Sequence, residues 1–111
     1  MITLSTPGGN QVVLSDRDEA ITLTDPHHNQ VKLDASGITI DSAGDVRINA
    51  KGAISVSAVG ALSLGSKADT KVEGLNVTCS AQVGLTAKGS ATAELSAAGQ
   101  TTVKGAMVMI N

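Results

Sequence analysis

The chain has 111 residues, a formal net charge of −2, 12 Gly, 2 Pro, and no Phe, Tyr or Trp. That length suits one domain, but without aromatics it cannot fill an ordinary monomeric core, because each aromatic buries a large area in one step. The near-neutral balance and missing rings also remove a basic, stacking surface for nucleic acid, and no apolar run approaches the ~20 residues that cross a bilayer.

The first third carries its own pattern. GNQVVLSD at 9–16 is echoed by HNQVKLD at 28–34, with ITLTD at 21–25 between them. Alternating Val/Leu and Ile/Leu pairs mark strands of period two. SDRDEA and DPHH are turns, TPGGN at 6–10 is a flexible one, and Pro7 and Pro26 both fall in turns. Residues 1–36 are therefore expected to be a looped β region, antiparallel or looped, leading into the repeats that start at residue 37.

From 37 to 65 the chain reads GITIDSAG, DVRINAKG, AISVSAVG and ALSLG, with Gly44, Gly52 and Gly60 spaced by eight. Each octad holds two apolar residues in alternation: Ile38 and Ile40, Val46 and Ile48, Ile54 and Val56, Leu62 and Leu64. Period two is a strand with one buried face. The glycine is expected to turn the chain through positive φ. An octad has room for a short strand and a corner but not for a helical crossover. A winding sheet fits, with each pass stacked on the last at about 4.8 Å.

Two inward residues per pass enclose almost nothing in one chain. Three chains contributing one face each would make a triangular β-prism with Ile, Val and Leu stacked on its axis. The expected fold is thus all-β, an intertwined trimeric β-helix, with residues 37–111 as its octad shaft and 1–36 as the looped entrance.

Past Leu64 the phase slips. Thr70 and Val72 keep the octad, but Val77 and Cys79 do not, and the slip falls around Gly74 and Leu75. Leu85 with Ala87, Ala93 with Leu95, and Thr101 with Val103 then run in an octad phase of their own. Inward residues shrink to Ala and Cys here, so a narrower prism is expected. The chain closes on AMVMIN, its most apolar short run, as a last core layer or a flat docking surface.

Few residues invite chemistry. His27 and His28 with Asp25 suggest a metal, but adjacent strand residues point to opposite faces and these lie in a polar turn. Asp16, Asp18, Glu19 and Asp25 lack the spacing of calcium loops and read as solvated charge. The single Cys79 excludes an internal disulfide and is expected as a buried core thiol with no base nearby. Lys51, Lys67, Lys71, Lys88 and Lys104, with Asp41, Asp45, Asp69, Glu73 and Glu94, would solvate the prism edges and discourage sideways association. No cofactor, metal or catalytic constellation is expected.

At GNQVVLSD, the octads and the closing TTVKGAMVMIN, the chain resembles the carboxy-terminal β-helix of VgrG-type spike proteins. That architecture also forms the needles of contractile phage tails and extracellular contractile injection systems. The resemblance covers essentially the whole chain. It departs from the family pattern at His28, where the motif usually has Gly before Asn29.

The resemblance implies a homotrimer that presses on or pierces a target membrane and carries a PAAR-type tip protein at its blunt end. It implies a tail tube or hub joined through larger amino-terminal domains, so this sequence is expected to be an excised fragment or a short gene product. Carried over, the docking face would be Met107, Val108, Met109, Ile110 and Asn111. The shaft core would be Ile38, Ile40, Val46, Ile48, Ile54, Val56, Leu62, Leu64, Val72, Val77, Cys79, Leu85, Leu95 and Val103. Assembly would occur in the cytoplasm, within a tail-like machine or virion, with delivery to the extracellular space or a target envelope.

Two rival classes stand beside the spike. A passive trimeric fibre or adhesin stalk would share the octads but bind no cap. A β-helical polysaccharide enzyme would need aromatic sugar platforms and paired carboxylates on one face, which this sequence lacks.

Overall fold

Period-two alternation folds the first 41 residues into five short strands in the computed structural model, which describes residues 1–111. They are β1 (Ile2–Ser5), β2 (Gln11–Ser15), β3 (Ala20–Thr24), β4 (Gln30–Asp34) and β5 (Gly37–Asp41). Each pairs antiparallel with the next to give one sheet in sequence order, and the chain contains no helix.

The register sorts the side chains cleanly. Ile2, Leu14, Ile21, Leu33 and Ile38 lie opposite one another across all five strands. Leu4, Val12, Leu23, Val31 and Ile40 form a second such row, two positions along. Successive strand residues alternate faces, so both rows share one face and make it wholly apolar. The intervening row of Thr3, Val13, Thr22, Lys32 and Thr39 lies on the opposite face, as does the row of Ser5, Gln11, Thr24, Gln30 and Asp41.

The pairing also exposes a tandem hairpin. Ile2, Thr3, Leu4, Pro7, Asn10, Gln11, Val12 and Leu14 recur 19 residues later as Ile21, Thr22, Leu23, Pro26, Asn29, Gln30, Val31 and Leu33. The β1–β2 and β3–β4 turns are consequently alike. In the first, the Thr6 N–H donates to the Asn10 carbonyl and the Gly9 N–H to the Thr6 carbonyl, both at 3.0 Å. Asn10 donates to Thr6 Oγ1 from its backbone N–H at 3.2 Å and from Nδ2 at 3.1 Å. In the second, Asp25 takes the place of Thr6. Its Oδ1 accepts from the backbone N–H groups of His27 and Asn29, and its Oδ2 from Asn29 Nδ2, all at 3.0 Å.

Each of these turns needs one left-handed residue. Gly9 supplies it at φ 97°, and His28 adopts φ 70° in the same place. A side chain there crowds the following carbonyl, which costs roughly 1–2 kcal/mol. His28→Gly should therefore raise stability by about 1 kcal/mol, part of the relief being offset by the freedom that glycine gains when unfolded. Gly9→Val should lower stability further, because a Cβ at Gly9 would also stand 3.1 Å from the Pro26 Cβ. Guanidinium denaturation of the two variants, read against the parent, checks both signs.

The β4–β5 turn is tighter. Asp34 pairs with Gly37, the Ser36 N–H donates to Asp34 Oδ1 at 2.9 Å, and Gly37 sits at φ 127°. Between β2 and β3, Ser15 Oγ accepts the Asp18 N–H at 3.2 Å and donates to Asp18 Oδ2 at 3.1 Å. Strand β5 thus carries Ile38 and Ile40 both as the last strand of the meander and as the first pair of the octad series.

After Asp41 the pairing stops. The chain divides into two compact units, Met1–Ala61 and Leu62–Asn111. In the first unit, bends follow the meander at 43–44, 51–52 and 59–60. In the second they fall at 67–68, 75, 82–83, 90–91, 98–99 and 106–107. The spacing is eight throughout, except that one residue is missing between 67–68 and 82–83. The corner at Leu75 is correspondingly a single bend.

Two expectations about these octads need correction. Their glycines do not turn through positive φ: only Gly9 and Gly37 lie in that region, and Gly44, Gly52 and Gly60 do not. A one- or two-residue bend redirects an extended chain without reversing it, so it needs no left-handed residue. Nor do successive passes of one chain stack on each other. No backbone–backbone hydrogen bond within the chain involves residues 42–111. A redirected segment leaves its predecessor behind, and its ladder partner has to come from elsewhere.

Candidate functional site: the uncovered apolar rows and the terminal segment

Not one hydrophobic residue of the chain is buried, and the only buried residue is Ser15. The central strands β2–β4 of the meander are the best shielded part of the pattern, while Ile2 and Ile38 on its edge strands are as bare as the octad residues. Leu23 in β3 retains 43% of its surface, against 73% for Ile48 in the second octad. Neighbouring strands cover both flanks of the residues in β2–β4, whereas an octad residue has no paired strand beside it within its own chain.

Beyond Ile38 and Ile40 in β5, the predicted shaft residues all fall on the segments between bends. Val46 and Ile48 lie between the bends at 43–44 and 51–52, and Ile54 and Val56 between 51–52 and 59–60. Leu62 and Leu64 precede the bend at 67–68, and Val72 follows it. Val77 and Cys79 occupy the segment after Leu75, and Leu85, Leu95 and Val103 the three that come next. Cys79 is a free thiol, exposed in the single chain like its neighbours in the series. The first row of the meander, in phase, continues as Val46, Ile54, Leu62, Thr70, Val77, Leu85, Ala93, Thr101 and Met109. The second continues as Ile48, Val56, Leu64, Val72, Cys79, Ala87, Leu95, Val103 and Asn111.

Eight residues of the apolar face had no place among the predicted core positions: Ile2, Leu4, Val12, Leu14, Ile21, Leu23, Val31 and Leu33. The signal was present as the 19-residue hairpin repeat, which sets the same apolar positions in each copy.

The terminal segment begins with the bend at Ala106 and Met107, and Val108–Asn111 runs on without hydrogen-bonded partners in its own chain. A Cβ at Gly105 would lie 3.0 Å from the Met107 carbonyl oxygen, so the last corner leaves little room for a larger residue. Met107, Val108, Met109 and Ile110 are all exposed.

The polar end of the meander is held by local bonds. Asn29 Oδ1 accepts the Ala43 N–H at 2.9 Å and ties the β3–β4 turn to the first octad corner. The Asn29 side-chain bond, reinforced by backbone N–H groups from Asn29 and His27, holds the Asp25 carboxyl below its ordinary 3.8. Asp25 is thus occupied by the turn, and no cluster of three or more His, Cys, Asp or Glu is placed to hold a metal. The exposed pairs Arg47–Asp45 at 3.1 Å and Lys71–Glu73 at 3.3 Å each link charges two residues apart and add little stability.

An amphipathic sheet with one uncovered face, continued by extended segments that have no partner in their own chain, defines a class: an all-β chain completed only by association. The comparison with known families agrees. The sequence profile of the phage baseplate V C-terminal trimerisation domain matches residues 1–111, and the chain belongs to that family. It is a homotrimerising, spike-type structural domain of the phage-tail baseplate. No curated relative matches the chain.

Proposed function

We propose that three copies of residues 37–111 wind into a triangular β-prism that serves as the rigid distal shaft of a contractile-machine spike. The observation that carries this reading is the pair of apolar positions recurring every eight residues on segments with no hydrogen-bond partner in their own chain. Three such chains supply one another's ladders and bury one another's rows. Each pass is then hydrogen-bonded above and below by a different chain. Bending or pulling the shaft has to break many of these bonds together, which suits a body driven from behind by sheath contraction.

In this reading the domain is not a catalyst. Its tasks are stiffness, trimerisation and a blunt apolar end formed by three copies of Met107–Asn111, on which a PAAR-type tip protein docks. A tube or hub joins at the other end. The spike is assembled in the cytoplasm and reaches the target envelope as part of the tail-like machine, pressing through the membrane without a specific lipid site. A VgrG-type assignment within this class rests on the resemblance of GNQVVLSD, the octads and TTVKGAMVMIN.

The test is mass and docking together. Light scattering should find a trimer near three times 11.1 kDa, and it should survive SDS until boiled. Removing Met107–Asn111 should leave that trimer intact and abolish binding of a PAAR-type protein. A monomeric parent would sink the prism; a truncated trimer that still binds the tip protein would sink the docking face alone.

A further inference from the structure

We propose that the N-terminal meander is the register-setting interface between copies of this chain, its ten-residue apolar face packing against the same face of the other two. The inference rests on the prism reading and goes beyond it, since the octads alone do not explain how three chains align.

The difficulty lies in the octads themselves. Threading one chain forward by eight residues replaces Val46 by Ile54 and Ile48 by Val56 in every layer between residues 38 and 64, apolar for apolar. Between residues 38 and 64 such a slip keeps every layer apolar. Past Leu64 it sets Thr70 at the level of Leu62 and Ala93 at that of Leu85, and only these changes of inward side chain oppose it. Repetitive strands specify register weakly for this reason. The missing residue near Leu75 helps only in the layers around it.

The meander has no such freedom. Its strands alternate in direction, so a shift of one layer sets an up-strand against a down-strand and moves every turn to the wrong end. A shift of two layers does overlay the β1–β2 hairpin on β3–β4, because of the 19-residue repeat. It then leaves one hairpin of the shifted chain without its equivalents, and its β4 lies against an octad instead of a meander strand. Only zero shift satisfies all five strands.

The meander is also the one part of the chain whose strands are paired within a single copy. Every strand ladder lies in residues 2–41, and the remaining backbone bonds are in its turns. A sheet so paired, with an uncovered apolar face, can meet its copies early and deliver three shafts already aligned at β5. Continuity supports a second copy as the occupant of this face, since its two rows run in phase into the rows that trimerise.

The full chain, with Cys79→Ser and a nitroxide on Ser57→Cys at an outward octad position, reports register directly after refolding from guanidinium. Three aligned chains give one inter-label distance by pulsed electron resonance. A chain slipped by one octad brings its label onto the next layer beside a neighbour's and adds a much shorter distance. Leu23→Ala with Val31→Ala, a facing pair in the second row, should slow refolding several-fold and either add the short distance or leave monomer. Thr22→Glu, on the opposite face beside Lys32, should behave as the parent. Ile54→Ala should weaken the trimer yet keep one distance.

If the Leu23/Val31 variant refolds at the parental rate with one distance, the proposal is overturned. It is overturned equally if that variant and Ile54→Ala weaken the trimer to the same extent and the trimers that remain both give one distance. A labelled parent that never trimerises condemns the prism instead.

Discussion

Replacing Ile54 by alanine should destabilise the trimer by roughly 6–15 kcal/mol, three times the 2–5 of a single buried Ile→Ala change. In the proposed prism the three Ile54 side chains share one layer, so a single codon change opens three cavities around one axis. The layer cannot collapse, because the ladders above and below hold its strands apart. Ser55→Ala, one residue away on the outward face, should stay within about 0.5 kcal/mol per chain. Because the folded state is an assembly, the comparison belongs at fixed chain concentration. Unfolding rates in guanidinium are the safer measure if the trimer fails to refold. Equal losses at Ile54 and Ser55 would mean that the octad does not have the inward phase assigned to it.

A one-residue insertion should separate corners from strands still more sharply. An alanine between Ile54 and Ser55 sends Val56 to the face opposite Ile54, so that layer can keep only one of them inside. The expected result is loss of the trimer. The same alanine between Gly74 and Leu75 only lengthens a corner and restores the eight-residue spacing that the sequence lacks there. The trimer should survive, with unfolding close to the parent's. Light scattering on the two proteins at equal concentration is sufficient. A corner insertion as damaging as the strand insertion would show that the short corner at Leu75 is needed for its own sake.

Much of this architecture was legible in the sequence because it rests on local periodicity. Alternation at Ile21/Leu23 and Ile38/Ile40 requires no knowledge of distant residues, and both pairs lie in strands, β3 and β5. Pro7 and Pro26 fell in turns as their fixed φ predicts. His28 was recognisable as a departure from a glycine position, and its φ of 70° gives that departure a physical meaning. The apolar face of the meander was missed for a different reason. Val12, Leu23 and Val31 stand at unequal spacings on three successive strands and become one row only when the hairpin pairings set their register. Positive φ at Gly44, Gly52 and Gly60 was a wrong inference of another kind, in which the residue type was read correctly but the backbone demand was not.

Composition and periodicity by themselves determined that this is an all-β chain of thin layers that cannot close a core alone. Without aromatics, and with two inward residues per octad, the single copy leaves every hydrophobic residue unburied. What only the tertiary structure decided is which strands find partners within the chain. Hairpin turns with left-handed residues reverse the chain and pair β1 to β5, whereas the later bends redirect it and leave residues 42–111 without backbone partners of their own. That distinction lies in backbone geometry at a few corner residues, and alternation of side chains carries no information about it.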